Sequence, residues 1–167
     1  MTLRELNSLN DVDAASLFRQ CCNAGRWARG MAAGRPYSDM QALSDAAGKL
    51  FRSLIDEDWK EAFAGHPKIG DVKDLRKKYP ETAGMSEAEQ SGLSRTSDQL
   101  LGELAEANGR YEKKFGYIFI VCATGKGADE MLALLYGRLN NHADAELRIA
   151  AREQEKITHL RLQKILS

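Results

Sequence analysis

The segment SDMQALSDAAGKLFRSL, residues 38–54, carries the clearest structural signal in the chain. Its apolar residues recur at intervals of three and four: Met40, Leu43, Ala47, Leu50, Phe51 and Leu54. This spacing places apolar side chains on one face of an α-helix, and Ser38 is a residue type that commonly caps a helix N-terminus. The segment is therefore predicted to form an amphipathic helix that begins after Ser38.

Similar helical spacing fills most of the chain between its three prolines. The glycine-punctuated stretch 25–34 is not assigned a helix. Further helices are predicted at residues 13–23, 59–64, 96–115, 128–140 and 144–166, with a short one inside the polar stretch 68–84 and another that begins at Ser86.

Residues 117–123, YIFIVCA, are the exception, because aromatic and β-branched residues favour a strand. No partner strand is evident, and an unpaired buried strand would leave its backbone groups unsatisfied. We therefore expect a buried extended or helical segment there. The prediction is an all-α fold, a compact single-domain helical bundle that spans residues 1–167.

Composition excludes several classes of protein. The chain has 167 residues, 43% apolar and 29% charged, which is typical of a soluble globular domain. Its 24 basic residues balance 24 acidic ones, so the basic excess of a nucleic-acid-binding protein is lacking. No apolar run is long enough for a membrane helix, and the polar first ten residues do not resemble a signal peptide.

The three cysteines, Cys21, Cys22 and Cys122, indicate neither a disulfide framework nor a zinc site. Their number is odd, and no C-x-x-C motif occurs. We expect reduced thiols, a cytoplasmic location and no metal.

His66 is the first candidate for chemistry. It lies between Gly65 and Pro67, directly after a predicted helix end, and this context holds the imidazole on a stiff corner. A histidine on a rigid support suits general acid/base catalysis. A Gly-His-Pro sequence is also common at turns with no catalytic role, so a structural and a catalytic interpretation of His66 both stay open.

Two further features have both a structural and a functional interpretation. Ser86 and Glu89 have the spacing of a helix-capping box, which is the structural interpretation. A helix N-terminus can also bind a carboxylate or amide oxygen of a ligand, which is the functional one. Arg161 shares a helix edge with Ile157 and Ile165, so its permanent charge must either reach water or meet an anion. Motifs of zinc proteases, serine hydrolases and nucleotide-binding loops are missing from the sequence.

Several ordered motifs resemble those of the OHCU decarboxylase family, and within it the bacterial branch. The resemblance spans residues 35–165, nearly the whole chain. The family motifs are similar to HPKIG at 66–70, SEAEQSGL at 86–93, NGRYEKKFG at 108–116 followed by FIVCA at 119–123, RLNN at 138–141 and QEKITHLRL at 154–162. Tyr117-Ile118 departs from the usual Phe-Pro, and Ser91 stands where alanine is frequent.

The resemblance implies an all-helical carboxy-lyase without a cofactor, commonly a homodimer. Its substrate would be a small ureide, 2-oxo-4-hydroxy-4-carboxy-5-ureidoimidazoline, an intermediate between uric acid and (S)-allantoin. His66 would act as the acid/base with Glu89 as its carboxylate partner. The implied substrate-binding residues are Pro67, Ser86, Gln90, Phe119, Ile120, Val121, Cys122, Ala123 and Arg161.

Two alternatives of other kinds stay open at this point. One is a related enzyme that acts on a different ureide, such as a racemase or hydrolase. The other is a non-catalytic helical interaction module that kept the fold and lost the activity. The charged residues His66, Glu89 and Arg161 favour an enzyme.

Overall fold

The structure is a computed structural model, and it describes residues 1–67, 72–79 and 97–166. Within these ranges every regular element is a helix, and none is a strand. The all-α prediction is therefore confirmed. The helices are α1 (Leu3–Ser8), α2 (Asp11–Cys21), α3 (Gly25–Ala33), α4 (Met40–Arg52), α5 (Asp56–Ala64), α6 (Val72–Lys78), α7 (Ser97–Phe115), α8 (Ala128–Leu139) and α9 (Ala143–Ile165).

Most helices begin and end within a few residues of their predicted bounds, and the short helix in the polar stretch is α6. The helix predicted at Ser86 lies outside the described residues. The predicted cap of α4 is wrong by one position. Asp39, not Ser38, is the N-cap, because its carboxylate Oδ1 accepts the Ala42 amide at 2.8 Å.

The glycine-rich stretch that was not assigned a helix forms α3. Its glycines lower helix propensity, yet Trp27, Ala28, Met31 and Ala32 place four buried side chains on one face. A Cβ at Gly30 would lie only 3.1 Å from the Leu50 side chain. Packing between α3 and α4 thus outweighs the local propensity.

Residues 117–123 have no regular structure. Ile120 is buried, and its neighbours on both sides are partly exposed. The expectation of a buried segment holds for Ile120 alone, and the conformation is irregular rather than helical.

Contacts divide the chain into two compact units, and the prediction of one domain over residues 1–167 stays a prediction. The first unit comprises Met1–His66, Ile120–Cys122 and Leu147–Ser167. The second comprises Pro67–Phe119 and Ala123–Glu146.

The first unit is built on the packing of α3 against α2, α4 and α5. The rings of Phe18 and Trp27 meet edge to face at 6.0 Å, and the Trp27 indole donates to the Ala47 carbonyl at 3.0 Å. A buried indole that keeps its hydrogen bond fixes the orientation of α3 against α4.

The second unit is built on α7 packed against α6 and α8. Its centre holds a buried polar cluster around Glu146, which is 0% exposed. The carboxylate accepts hydrogen bonds from the Tyr111 hydroxyl, from Arg138 Nε at 2.7 Å and from Asn141 Nδ2 at 2.8 Å. Because the buried charge is fully paired, the cluster is tolerated inside an apolar core.

Candidate active site

The His66 corner is held by a close approach between Gly65 and Asn23. The Gly65 and His66 amides close the end of α5 by donating to the Ala62 and Phe63 carbonyls at 3.2 and 3.1 Å. A Cβ at Gly65 would lie 2.4 Å from the Asn23 Cβ, closer than two carbon atoms can approach. Only glycine fits this position, and the site depends on it.

Glu61 ties the same end of α5 to the link between α2 and α3. Its carboxylate pairs with Arg19 at 2.5 Å and accepts the Gly25 amide at 3.1 Å, while its carbonyl accepts from the Asn23 side chain at 3.2 Å. Although the Arg19 pair is half exposed, the three contacts together restrain the segment that leads into His66.

The His66 ring contacts two side chains of α9. Its Nε2 atom lies 2.6 Å from Oε1 of Gln154, and its Nδ1 atom lies 3.5 Å from Nη2 of Arg161. The ring is half-buried, and all three residues belong to the first unit. The structure thus brings together His66 and Arg161, two of the predicted site residues.

Gln154 and Thr158 form a buried polar stripe on α9. They are 0% and 2% exposed and lie one helical turn apart. The Gln154 amide Nε2 lies 3.3 Å from the Thr158 hydroxyl, which in turn donates to the Gln154 carbonyl at 2.9 Å. A buried amide with several partners is held in one orientation.

Arg161 is anchored at the end of α2 by one half of its guanidinium. Its Nη1 donates to the Cys21 carbonyl at 3.2 Å and to the Gln20 carbonyl at 3.4 Å. A cation at a helix C-terminus is electrostatically favoured. Because Nη1 faces these carbonyls, a bidentate grip on an anion would use the edge formed by Nε and Nη2.

Two cysteines border the Arg161 anchor. Cys21 and Cys22 are both buried, and burial raises the pKa of the Cys21 thiol to about 11, although the Arg161 charge opposes the shift. Burial also raises the pKa of Cys22, with smaller opposing contributions that include a hydrogen bond to Thr158. Both side chains are therefore neutral thiols at pH 7 and leave the net charge of the site unchanged.

The predicted binding segment 119–123 already uses some of its main-chain groups. The Cys122 amide donates to Glu153 Oε2 at 2.8 Å, and the Ala123 carbonyl accepts from the Lys126 amide at 3.0 Å. Glu153 also pairs with Lys156 at 2.5 Å. The predicted main-chain role of Cys122 in binding thus competes with its hydrogen bond to Glu153.

Phe119 lies in the second unit and is held there by aromatic and cationic contacts. The Arg138 guanidinium lies 4.6 Å from its ring centroid, and the Tyr111 ring meets it edge-on at 5.1 Å. Since Arg138 is itself bonded to buried Glu146, the Phe119 position is set by the core of that unit.

Three predicted site residues, Ser86, Glu89 and Gln90, lie outside the described residues. Pro67 is described, and its side chain is exposed. Sequence reasoning missed Gln154, Thr158 and Glu153 as site residues. The signal for the first two was present, since Gln154, Thr158 and Arg161 repeat at four and three positions along one helix face.

Two negative findings hold for the described part of the chain. It contains no group of three His, Cys, Asp or Glu side chains arranged to hold a metal ion. None of its helices combines the length and apolar character needed to cross a membrane.

Comparisons with known proteins show which family the chain is similar to. A model of the OHCU decarboxylase family matches residues 7–163. The uric acid degradation bifunctional protein TTL of Arabidopsis thaliana is 40% identical over 90% of this chain, which spans 46% of that protein. The 2-oxo-4-hydroxy-4-carboxy-5-ureidoimidazoline decarboxylase of Amia calva is 27% identical over 99% of this chain and 95% of its own.

A solved structure of an OHCU decarboxylase also matches this chain. The crystal structure of OHCU decarboxylase in the presence of (S)-allantoin superimposes with a TM-score of 0.70 at 35% identity, covering 95% of this chain and 99% of that one. The chain thus spans about half of the bifunctional plant relative and nearly all of the Amia calva decarboxylase. With the family model matched over almost its full length, the chain belongs to the OHCU decarboxylase family.

Proposed function

We propose that this chain catalyses the decarboxylation of 2-oxo-4-hydroxy-4-carboxy-5-ureidoimidazoline to (S)-allantoin during uric acid degradation. The observation that carries the proposal is the placement of Arg161 Nη2 3.5 Å from His66 Nδ1, which sets an anion-binding cation beside an acid/base group. An anionic substrate that needs one proton delivered is the chemistry this pair suits. Family membership over residues 7–163 supports the same activity.

The substrate itself explains how the reaction proceeds. Its carboxylate is attached to a ring carbon next to a C=N bond. When CO2 leaves, the bonding pair forms a C=C bond to the former imine carbon, and the imine nitrogen gains a proton. The resulting enol then becomes a carbonyl while the former imine carbon is protonated. The imine is the electron sink, so we propose that no cofactor is required.

The residues of this chain would orient the substrate and control one proton. His66 is proposed as the acid/base that delivers or directs the proton to one face of the ring carbon. Arg161 would bind the carboxylate or an anionic oxygen through its Nε–Nη2 edge, because Nη1 is committed to the end of α2. Glu89 would polarise or orient the His66 ring, a proposal that rests on the sequence motif alone.

The remaining binding residues are proposed from the family motifs. Ser86 and Gln90 would hold the ureido and ring amides, and Pro67 would pack against the substrate ring. The segment formed by Phe119, Ile120, Val121, Cys122 and Ala123 would contribute main-chain groups.

Partners and location are also proposals. We propose a homodimer in the cytoplasm, as is common in this family, and place the chain in its bacterial branch. Buried, unpaired Cys21 and Cys22 suit a reducing compartment. Sedimentation equilibrium would test the dimer.

The function is tested by supplying the protein with the product of urate oxidase and hydroxyisourate hydrolase. Circular dichroism should show (S)-allantoin forming faster than in a mixture without the protein. Racemic allantoin at the uncatalysed rate would contradict the proposal and favour the interaction module. A panel of other ureides, with turnover of one of them and not of this substrate, would favour the related enzyme.

A further inference from the structure

We propose that Gln154 is a positioning residue that holds the His66 ring with a hydrogen on Nε2, so that Nδ1 is the nitrogen turned toward Arg161. The inference rests on the proposed function for its catalytic consequence. The tautomer itself follows from the directions of the hydrogen bonds in the first unit.

The direction of each bond along α9 can be assigned from the chemistry of its partners. The Thr158 hydroxyl has one hydrogen, which is shared between two acceptors, the Gln154 carbonyl at 2.9 Å and the Cys22 sulfur. The hydroxyl oxygen must then accept at 3.3 Å from the Gln154 side chain, which identifies the atom near Thr158 as the amide nitrogen. The amide oxygen is left facing His66.

An amide oxygen has no hydrogen to give. The 2.6 Å contact between Gln154 Oε1 and His66 Nε2 is therefore a hydrogen bond only if Nε2 carries the hydrogen. A ring tautomer is set by such a partner. Gln154 is 0% exposed, so water does not compete for this contact.

The contact with Arg161 on the other side of the ring is compatible with the same tautomer. A guanidinium N–H can only donate, and at 3.5 Å from Nη2 the Nδ1 atom is suited to accept rather than to present a hydrogen. The anchoring of Nη1 on the Cys21 and Gln20 carbonyls keeps Nη2 at this place. Nδ1 thus lies beside Arg161, the cation proposed to bind the substrate, while Nε2 is hydrogen-bonded to the buried amide of Gln154.

The consequence is that the protein holds the ring through Nε2, with Nδ1 on the Arg161 side. The buried bond to Gln154 fixes the ring plane. The hydrogen bond that the Gln154 amide donates to the Thr158 oxygen stops that amide from rotating by 180° and presenting a donor to Nε2. Partners that orient the ligands of a metal site, without touching the substrate, contribute about 10–100-fold to activity, and Gln154 orients His66 in the same manner. We expect that range here.

The test uses matched substitutions on α9. Gln154→Met removes the acceptor and keeps the length of the side chain. Thr158→Val removes the hydroxyl at constant shape, while Thr158→Ser keeps it. We expect kcat to fall about 10–100-fold in Gln154→Met and less in Thr158→Val, with KM changed less than about threefold and with Thr158→Ser close to wild type.

The measurement that tests whether Gln154 orients the His66 ring is 1H–15N NMR of the histidine rings at a pH where His66 is neutral. The wild-type protein should show a solvent-protected imidazole N–H on Nε2 of His66, assigned by its loss in His66→Ala. Gln154→Met and Thr158→Val should lose that protection, and Thr158→Ser should keep it. Signals of exposed His142 and of His159, which is bonded to Ser44, should stay unchanged.

A wild-type ring with its hydrogen on Nδ1 would overturn the assignment, as would a protected Nε2–H that survives Gln154→Met. Equal behaviour of Thr158→Val and Thr158→Ser would remove the role of the hydroxyl. The spectra need no substrate, so failure of the decarboxylation assay would refute the proposed function while the NMR result still decides the role of Gln154.

Discussion

Arg161 and His66 are 95 positions apart in the chain, and Nη2 of the first lies 3.5 Å from Nδ1 of the second. The contact is made possible by two rigid supports. His66 follows the glycine corner at the end of α5, and Arg161 is tied to the last carbonyls of α2. In the proposed function, the cation would bind a carboxylate and the titratable ring beside it would move a proton.

His66→Ala should lower the rate toward that of the uncatalysed reaction and make the allantoin racemic. The substrate loses CO2 slowly by itself, and water then protonates either face. The measurement is the rate of CO2 release together with the optical signal of the product, with His142→Ala at an exposed position as the control. A slow variant that still made only the (S) product would assign proton delivery to another group.

Arg161→Lys should raise KM more than about tenfold, which corresponds to about 1.4 kcal/mol of binding free energy. A lysine keeps the charge but has one nitrogen, which cannot both satisfy the α2 carbonyls and offer a planar edge to an anion. Steady-state kinetics would measure the change. Arg152→Lys, at an exposed position of the same helix, should leave KM unaltered. A normal KM in Arg161→Lys would make Arg161 a structural residue.

Gly65→Ala should destabilise the protein by about 1–3 kcal/mol and lower kcat, because the new Cβ would overlap the Asn23 Cβ and displace the adjacent His66. Urea denaturation and kinetics would measure both effects. Gly109→Ala in α7 is the matched control, since apart from its chain neighbours and the backbone of its own helix no described residue lies within 4 Å of its Cβ position. That change should increase the free energy of unfolding by about 0.5–1 kcal/mol. Equal effects of the two substitutions would contradict the packing argument.

The free energy of unfolding should fall as pH rises from about 9 to about 11. Burial raises the pKa of Cys21 from 9.0 to about 11 in the folded protein, so the unfolded chain loses the thiol proton first. The stabilising contribution is complete below pH 9 and is lost as pH passes through the folded pKa. The slope from one such group reaches about 1.4 kcal/mol per pH unit.

Chemical denaturation at a series of alkaline pH values would measure this slope. Cys21→Ala should show a shallower slope than the wild type over the same pH range, whatever its stability at pH 7. The burial of Cys22 adds a contribution of the same sign, so part of the slope should persist. An unchanged slope in Cys21→Ala would show that the thiol does not titrate in this way.

Dialysis against a strong chelator should leave the rate of decarboxylation unchanged. The imine of the substrate accepts the electrons, so the proposed chemistry has no step that needs a metal ion. The rate before and after dialysis, with and without added zinc or manganese, is the measurement. Activity restored only by an added ion would refute the cofactor-free mechanism.

Local sequence patterns determined the helical class of this protein. Apolar spacing of three and four predicted most helices, because that periodicity is a property of a single segment and needs no knowledge of its neighbours. α3 was missed for the same reason. Its glycines argue against a helix locally, and the need for glycine at position 30 becomes visible only in its packing against Leu50.

The sequence by itself also singled out His66 and Arg161 as candidates and, through its motifs, the family. It did not reveal the buried amide that orients the ring. Gln154 lies 88 positions from His66, and which side chain meets Nε2 depends on how α9 packs on the end of α5. The direction of each hydrogen bond follows from pairs of donors and acceptors that become neighbours only in the folded chain, so only the tertiary structure decided it.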